Sequence, residues 1–373
     1  MGFLKESRFS DISQRKILEY NAFFSLMLLS ILVSDVYFLL KYYSFYSPAL
    51  KIVAIVAMGG LFAGNLLGKF LFSKKRNHRP IIIISQLTYI LFFLLYITRN
   101  LLMPGSQEFF LVLFYLCKYS IPALFFIVIL VFGIMLNYTV RVSCNDSFDN
   151  QQGLDRLVPI MLSGITAGLL ISALFYSFTV PLLFAMPLAL LLVPSAFLID
   201  LPYQQAPFYS AETGEDKDSG TISSKQKGGD AALFTYLLFL CTIVYAYMGF
   251  SSIGRYYGDL IYVNLAFLLL LFIFMLAGYG VGRFIRASNL YRYGESFFPV
   301  AFLLFLVLLM SINSQTEFIF GILLFAPVAF LLGLLLYHSI RAVIDQYENA
   351  KRAVVLEFSM LILPAPVIIA LCL

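Results

Sequence analysis

The sequence of 373 residues has no tryptophan, only two histidines, and charged residues at only 12% of its length. Soluble proteins carry about twice that share of charge. Hydrophobic residues make up 61% of the chain, and its mean hydropathy is +0.91. A water-soluble core could not bury so much apolar surface, so the composition indicates an integral membrane protein. Without tryptophan, any aromatic residues at the membrane surfaces must be tyrosine and phenylalanine.

The scarcity of reactive side chains gives little support to catalysis, although a membrane-embedded enzyme is a third possible class. His78 and His338 both fall at the ends of apolar stretches, and the four cysteines have no metal-ligand or redox spacing. No nucleophile–histidine–acid set, phosphate-binding loop or paired carboxylates are present. We therefore predict no enzyme activity, catalytic residue, metal or cofactor. The net charge of +5 lies in separate loops, which favours topology signals over nucleic-acid binding.

About 20 apolar residues cross a bilayer as a helix, since lipid offers backbone groups no hydrogen-bond partners. The hydropathy of this chain predicts eleven such spans, at 17–40, 50–72, 80–98, 119–141, 157–177, 179–199, 233–253, 259–282, 297–313, 318–340 and 354–373. The fourth has two alternative forms. Residues 108–141 are apolar almost throughout, with Lys118 and Pro122 inside. They form either one long kinked helix or an interfacial segment that leads into a span.

The distribution of positive charge supports this topology. With the N-terminus in the cytoplasm, 20 of the 25 lysines and arginines lie in segments on the cytoplasmic side. A second span within 108–141 would invert every later loop and reverse this bias. We therefore predict a multi-pass protein of the cytoplasmic (inner) membrane, with the N-terminus inside and the lipid bilayer as its constant partner.

One polar segment divides the chain. Residues 203–230 are rich in serine, glycine and charge, which is typical of a disordered linker. The predicted organisation is a six-span bundle at 1–200, a cytoplasmic linker at 201–232 and a five-span bundle at 233–373.

Glycines recur at helical spacing in the second predicted span. The stretch "MGGLFAGNLLGK" places Gly60, Gly64 and Gly68 on one helix face and ends on Lys69. Glycine at this spacing lets another helix backbone approach closely. We predict a packing seam, which would also serve as a gating contact if the helices slide during function.

A similar signature ends the eighth predicted span. "GYGVGR" carries Gly278, Gly282 and Arg283, where "GNLLGK" has a glycine pair and a lysine in the second span. The spacing and the position within each half are the same. Duplicated halves with parallel topology would produce such a repeat. We therefore predict an all-α, polytopic transmembrane bundle with two pseudo-repeated halves.

These features resemble the major facilitator superfamily, in which two six-span halves are joined by a polar loop. The loop motif of that family runs roughly Gly-x-x-x-Asp-Arg-x-Gly-Arg-Arg. Gly64 and Lys69 match its first glycine and first cation, whereas Gly68 and Gly282 occupy the position of its aspartate. The resemblance implies a carrier that moves a small solute by alternating access.

A second resemblance is closer at the level of individual residues. "AMGGLFAGNLLGKFLFSKK" at 57–75 is similar to the second helix of the membrane domains attached to some bacterial spermidine synthase-like proteins, which typically reads "FMGGLALGSYLGGRLADR". "SDVYFLLK", with Asp35 and Lys41, is similar to their first helix but one residue longer. The soluble catalytic domain of that family is missing from this chain. This resemblance implies a non-transporting module that anchors or regulates a partner enzyme.

Charged side chains inside a membrane are costly and often functional. Asp35 lies in the outer half of the first span, where it would bind a proton or a cationic group, or pair with Lys118 or Arg255. It would otherwise be an interfacial carboxylate held by water. Arg255 and Asp259 are four residues apart, which also fits a local ion pair.

Uncharged polar residues occur within several spans. Gln86 and Asn264 are candidates to line a central cavity, although hydrogen bonds between helices explain most such residues. Asn65 and Asn137 are further polar residues within spans, and the same two interpretations apply to them. The sequence thus predicts a secondary transporter of an unknown small solute, with Asp35, Gln86, Asn264, Arg255, Asp259 and Lys118 as its candidate site residues.

Overall fold

A computed structural model of the protein describes residues 3–43, 49–72, 79–101, 107–143, 152–174, 180–198, 261–285 and 315–346. The secondary structure of this part of the chain is helical. Its helices are α1 (Phe3–Tyr43), α2 (Ala49–Phe72), α3 (Arg79–Leu101), α4 (Gln107–Ser143), α5 (Gln152–Leu174), α6 (Val180–Leu198), α7 (Ile261–Gly282) and α8 (Gln315–Gln346).

The helices follow the predicted spans closely, with α7 and α8 at the eighth and tenth. Five of them contain stretches long and apolar enough to cross a membrane, such as Lys16–Val36 in α1 and Leu265–Gly282 in α7. Shorter apolar stretches lie in α3, α6 and α8. The prediction of an all-α, multi-pass membrane protein is confirmed. The predicted seventh, ninth and eleventh spans and the linker lie outside the described residues, so the total of eleven stays a prediction.

Helix α4 resolves the alternatives for residues 108–141. It is one continuous helix of 37 residues with Pro122 inside, and its apolar stretch Pro122–Val140 is long enough to span the membrane. At 1.5 Å per residue the helix is about 55 Å long, which exceeds the roughly 30 Å of hydrocarbon in a bilayer. The part before Pro122 therefore extends the spanning segment rather than forming a second span.

The helices of the first half, α1–α6, pack in a defined set of pairs. Helix α2 lies against α4, α1 lies against α5 and α6, and α3 lies against α4 and α6. The α1–α5 contact is close because α5 has glycines at the crossing. A Cβ atom added to Gly164 would lie 2.6 Å from the carbonyl oxygen of Phe23, and one added to Gly168 would lie 2.7 Å from the Cβ of Ser30.

The two halves share one apolar core. Helix α7 packs against α8 within the second half and against α5 of the first half. Leu169 of α5 and Leu265 of α7 form a buried cluster at this junction. The main core runs from Leu28 of α1 to Leu271 of α7 and Leu335 of α8. Large apolar side chains also point outward, as expected for helices that face lipid, and Phe70 and Ile84 are examples.

Candidate functional site

A buried amide network joins three helices of the first half. The Nε2 of Gln86 in α3 donates hydrogen bonds to Oδ1 of Asn21 in α1, at 2.8 Å, and to the carbonyl oxygen of Leu192 in α6, at 3.1 Å. Gln86 is fully buried and Asn21 nearly so. Gln86, a predicted cavity residue, is thus engaged in helix-to-helix hydrogen bonds.

A small pocket opens beside this network. Its lining includes Asn21, Ser85 and Tyr138, and its volume is about 20 Å³, which is room for about one water molecule. One turn further along α1 and α3, the hydroxyl of Tyr89 donates a hydrogen bond of 3.0 Å to the carbonyl oxygen of Ser25. Polar groups of α1 and α3 therefore bond to each other beside a small, largely apolar pocket that α4 also lines.

Asp35 lies at a different level of the same bundle. Its side chain is buried, with 8% of its surface exposed, within the apolar stretch of α1. Fourteen residues separate it from Asn21, which corresponds to about 21 Å along a helix axis. The structure therefore does not bring Asp35 and Gln86 together in one cavity.

The glycines of α2 lie on the helix face that contacts α4. A Cβ on Gly60 would lie 2.9 Å from Cγ2 of Ile129, and a Cβ on Gly64 would overlap the carbonyl oxygen of Leu130. Gly133 of α4 faces Gly64, since a Cβ on Gly133 would lie 3.2 Å from the Cα of Gly64. The two backbones cross without a side chain between them.

The second half contains the same crossing between α7 and α8. A Cβ on Gly278 would overlap the carbonyl oxygen of Phe330, and a Cβ on Gly333 would overlap that of Met275. Gly278 follows Gly64 by 214 residues, and Gly333 follows Gly133 by 200. The repeat in the sequence thus corresponds to a repeated helix pair in the structure.

The crossing explains why glycine stands at the aspartate position of the facilitator motif. A Cβ on Gly68 would lie 2.9 Å from the Cβ of Asn137, and a Cβ on Gly282 would lie 3.0 Å from that of Tyr337. Any larger side chain at 68 or 282 would have to displace these neighbours. An aspartate at either position would therefore require the neighbouring helix to shift.

The residues beside the two crossings differ in chemistry. In the first half, Nδ2 of Asn137 donates a hydrogen bond to Oδ1 of Asn65. The offsets of 214 and 200 residues make Tyr279 the counterpart of Asn65 and Tyr337 the counterpart of Asn137. The rings of the two tyrosines meet edge to face, with their centroids 5.3 Å apart. One half is held at this level by a polar bond and the other by an aromatic contact.

His338 is a buried polar residue that the sequence interpretation placed at a membrane edge. It lies near the end of the apolar stretch of α8, with 2% of its surface exposed. Within the described part of the chain, neither ring nitrogen has a hydrogen-bond partner. Hydropathy alone could not reveal this, because burial depends on which helices pack around the ring.

The other predicted residues are spread along the bundle. Lys69 and Arg283 are exposed at the ends of α2 and α7, and the Arg283 guanidinium lies 6.0 Å from the centre of the Tyr279 ring. Lys118 lies in α4 and Asn264 in α7, with side chains outside the described part. Arg255 and Asp259 lie outside the described residues.

The described side chains offer no group of histidine, cysteine, aspartate or glutamate that would hold a metal ion. What this part of the chain does offer is a set of buried hydrogen-bonding groups and helix crossings that repeat between halves. The buried amides among them are engaged in hydrogen bonds between helices.

Comparison with known proteins identifies the architecture. No protein-family model matches the chain, and no curated protein matches it. Solved structures do match, among them the crystal structure of the human organic anion transporter MFSD10 (TETRAN). The TM-score is 0.55 at 13% identity, over 97% of this chain and 98% of that one. The chain therefore has a major facilitator fold. The resemblance to spermidine synthase-like membrane domains receives no support from these comparisons.

Proposed function

We propose that this protein is a secondary transporter that moves a small solute across the cytoplasmic membrane by alternating access. The observation that carries the proposal is the likeness to a transporter of the major facilitator fold along nearly the whole length of both chains. A sequence identity of 13% supports a shared fold but does not identify the solute. Organic anions are the first class to test, since the matched structure is that of an organic anion transporter.

The packing supports a motion in which the halves move as units. Within each half, a backbone-to-backbone crossing at Gly64 or Gly278 leaves no side chain that could adjust to sliding. Between the halves, Leu169 and Leu265 form an apolar contact without directional bonds. Apolar attraction depends on area rather than on direction. The junction between halves is therefore the easier one to shift, and the repeated seams would keep each half intact.

Asp35 is the proposed binding or coupling charge. A carboxylate inside a membrane is expensive, and such residues commonly mark substrate or ion paths. Its burial within the apolar stretch of α1 supports this role. Lys118, Arg255, Asp259 and Asn264 are further candidates, and Gln86 is proposed to stabilise the wall of the first half.

The test is solute uptake by purified protein in liposomes, with a panel of organic anions, organic cations and uncharged solutes. For a transported solute, we expect Asp35→Asn to reduce uptake by roughly tenfold or more, because a charge-assisted interaction contributes about 1.5–3 kcal/mol. Ser34→Ala is the matched control, since Ser34 is equally buried but bonds only within its own helix, to the carbonyl oxygen of Ser30. Unchanged ion-coupled uptake by the Asp35 variant would remove this residue from the mechanism.

A second candidate function is a membrane module that anchors or regulates a soluble partner enzyme. It rests on the sequence similarity of residues 57–75 to the membrane domains of spermidine synthase-like proteins. Failure to move any solute in the panel, together with a stable complex with one soluble enzyme, would favour it over transport.

A further inference from the structure

A second apolar cluster lies at one end of the first half, where α2 ends and α3 begins. We call it the end cluster, and its buried members are Leu18, Phe72, Ile82, Ile134 and Tyr138. The rings of Phe72 and Tyr138 contact each other, with their centroids 5.1 Å apart. The end cluster is separate from the main core of the bundle. The residues between the two clusters therefore decide how firmly this end is attached to the rest of the first half.

The small pocket beside Asn21 borders the end cluster. Four of its lining residues belong to that cluster, and the other four are Asn21, Ser85, Met135 and Thr139. Its volume of about 20 Å³ exceeds the roughly 10–15 Å³ that one water molecule needs, and it leaves no room for a second. A buried water also needs about two to four polar partners. The pocket meets this condition as well, because its lining includes side chains with a hydroxyl or amide group, namely Asn21, Ser85, Tyr138 and Thr139.

The polar groups of the lining include both donors and acceptors. The hydroxyl of Thr139 donates to a backbone carbonyl oxygen of its own helix at 3.0 Å, so its oxygen can only accept a further bond. The side-chain oxygen of Asn21 accepts a bond from the buried amide network, and its NH₂ group is a donor. The hydroxyls of Ser85 and Tyr138 can donate and accept. A water molecule can satisfy both kinds of group, whereas an apolar occupant can satisfy neither.

The pocket also lies between two buried amide hydrogen bonds. Ser85 precedes Gln86, whose side chain joins α3 to α1 and α6. Tyr138 follows Asn137, whose side chain joins α4 to α2. Because Ser85 and Tyr138 both line the pocket, the two sets of bonds approach each other at this point.

We propose that the pocket is a binding site for one ordered water molecule, held by Asn21 of α1, Ser85 of α3 and Thr139 of α4. The water accepts a bond from the Asn21 amide, donates one to the Thr139 oxygen and bonds to the Ser85 hydroxyl. It thereby joins the two amide bonds into one polar network across α1–α4 and attaches the end cluster to the main core. The site belongs to the permanent structure of the first half and does not depend on which solute the protein moves.

The first test is X-ray radiolytic footprinting of the full chain in lipid nanodiscs. Hydroxyl radicals formed from a bound water oxidise the side chains next to it, and a scavenger removes the radicals formed in bulk water. We expect the scavenger to suppress oxidation of Phe284, which is 88% exposed, several-fold more strongly than oxidation of Tyr138, which is 8% exposed. Equal suppression at both residues would mean that Tyr138 meets bulk water only, and it would overturn the proposal.

Filling the pocket provides the matched comparison. Ser85→Val replaces the hydroxyl by two methyl groups and should lower the scavenger-resistant oxidation of Tyr138 several-fold. Ser172→Val is the control, since Ser172 is a buried serine of α5 that bonds within its own helix, to the carbonyl oxygen of Gly168. This control should leave the oxidation of Tyr138 unchanged. An undiminished signal in Ser85→Val would contradict a water in this pocket.

The second test measures thermal unfolding. Ser85→Ala and Thr139→Val should each lower the midpoint temperature, and the double variant should lower it no further than the larger single effect, because the first substitution already releases the water. Ser85→Ala combined with Ser172→Ala is the control pair and should give additive shifts. Additive shifts for positions 85 and 139 would contradict the bridge.

Ser85→Ala removes only the hydroxyl oxygen, so the second test remains available if Ser85→Val fails to fold. Neither experiment needs a transported solute. A negative result in them leaves the transporter proposal standing, and absence of uptake leaves both of them interpretable.

Discussion

Two of the hydrogen bonds that join helices of the first half run between buried amide side chains. Asn137 bonds to Asn65 across α2 and α4, and Gln86 bonds to Asn21 across α1 and α3. Such bonds within a membrane contribute about 0.6 kcal/mol on average and up to about 1.7 kcal/mol. They therefore add specificity to helix pairing more than they add stability.

A double-mutant cycle measures the Asn65–Asn137 bond. Alanine at 65, at 137 and at both positions should give a coupling energy of roughly 0.6–1.7 kcal/mol in the unfolding of the detergent-solubilised protein. Ser163→Ala is the control, because Ser163 bonds only within its own helix, to the carbonyl oxygen of Ile160. Strictly additive effects of the two alanines would mean that this bond does not stabilise the helix pair.

Residue identity alone suggested some of these roles. Hydrogen bonding between helices was one of the two interpretations given for Asn65 and Asn137, and a place in the wall of a cavity was the other. The participation of Asn21 was not predicted, since it lies close to the polar start of α1. The separation of Asp35 from Gln86 follows from their distances to the ends of their helices, which the sequence already contains.

At the level of elements, the glycine spacing in α2 predicted a close-packed face but not its partner. The partner positions in α4 and α8 are Gly133 and Gly333, each at least twelve residues from the next glycine. An isolated glycine produces no periodic signal. Only the three-dimensional arrangement shows that it stands opposite the glycine of the neighbouring helix.

Paired glycine substitutions test these crossings. Gly64→Ala and Gly278→Ala should each lower stability by roughly 1–3 kcal/mol, because a new Cβ would overlap a backbone carbonyl. Gly59→Ala and Gly280→Ala are matched controls on the same helices, with the nearest neighbour atom at 3.8 Å and none within 4 Å, respectively. They should be neutral or stabilising by up to about 1 kcal/mol. Thermal unfolding in detergent gives the changes in stability. Equal effects of Gly64→Ala and its control Gly59→Ala, and of Gly278→Ala and its control Gly280→Ala, would refute the proposed contacts.

For the whole molecule, hydropathy predicted the described helices because lipid leaves a spanning backbone no other structure. It did not predict the burial of His338, which depends on the helices that surround it. The side of the membrane on which each helix ends remains a prediction from the positions of lysine and arginine.

Cysteine labelling in intact cells would determine this orientation. Cysteines at Phe70 and Phe284, exposed residues beside Lys69 and Arg283, should both react from the cytoplasmic side. A cysteine at Ser47, in the predicted outer loop, should react from the outside. Labelling of 70 and 284 from opposite sides would require an odd number of spans between these two positions, where six are predicted, and would contradict the predicted topology.

The contact between Gly64 and Gly133 also constrains how this chain can diverge during evolution. When two side chains meet, growth of one is often compensated by shrinkage of the other. Glycine has no side chain that could become smaller, so a larger residue at either position cannot be compensated by a smaller one at its partner. The same holds for Gly278 in its contact with α8. Among distant relatives, these positions should therefore be the columns that anchor a correct alignment when overall identity has fallen too low to guide it.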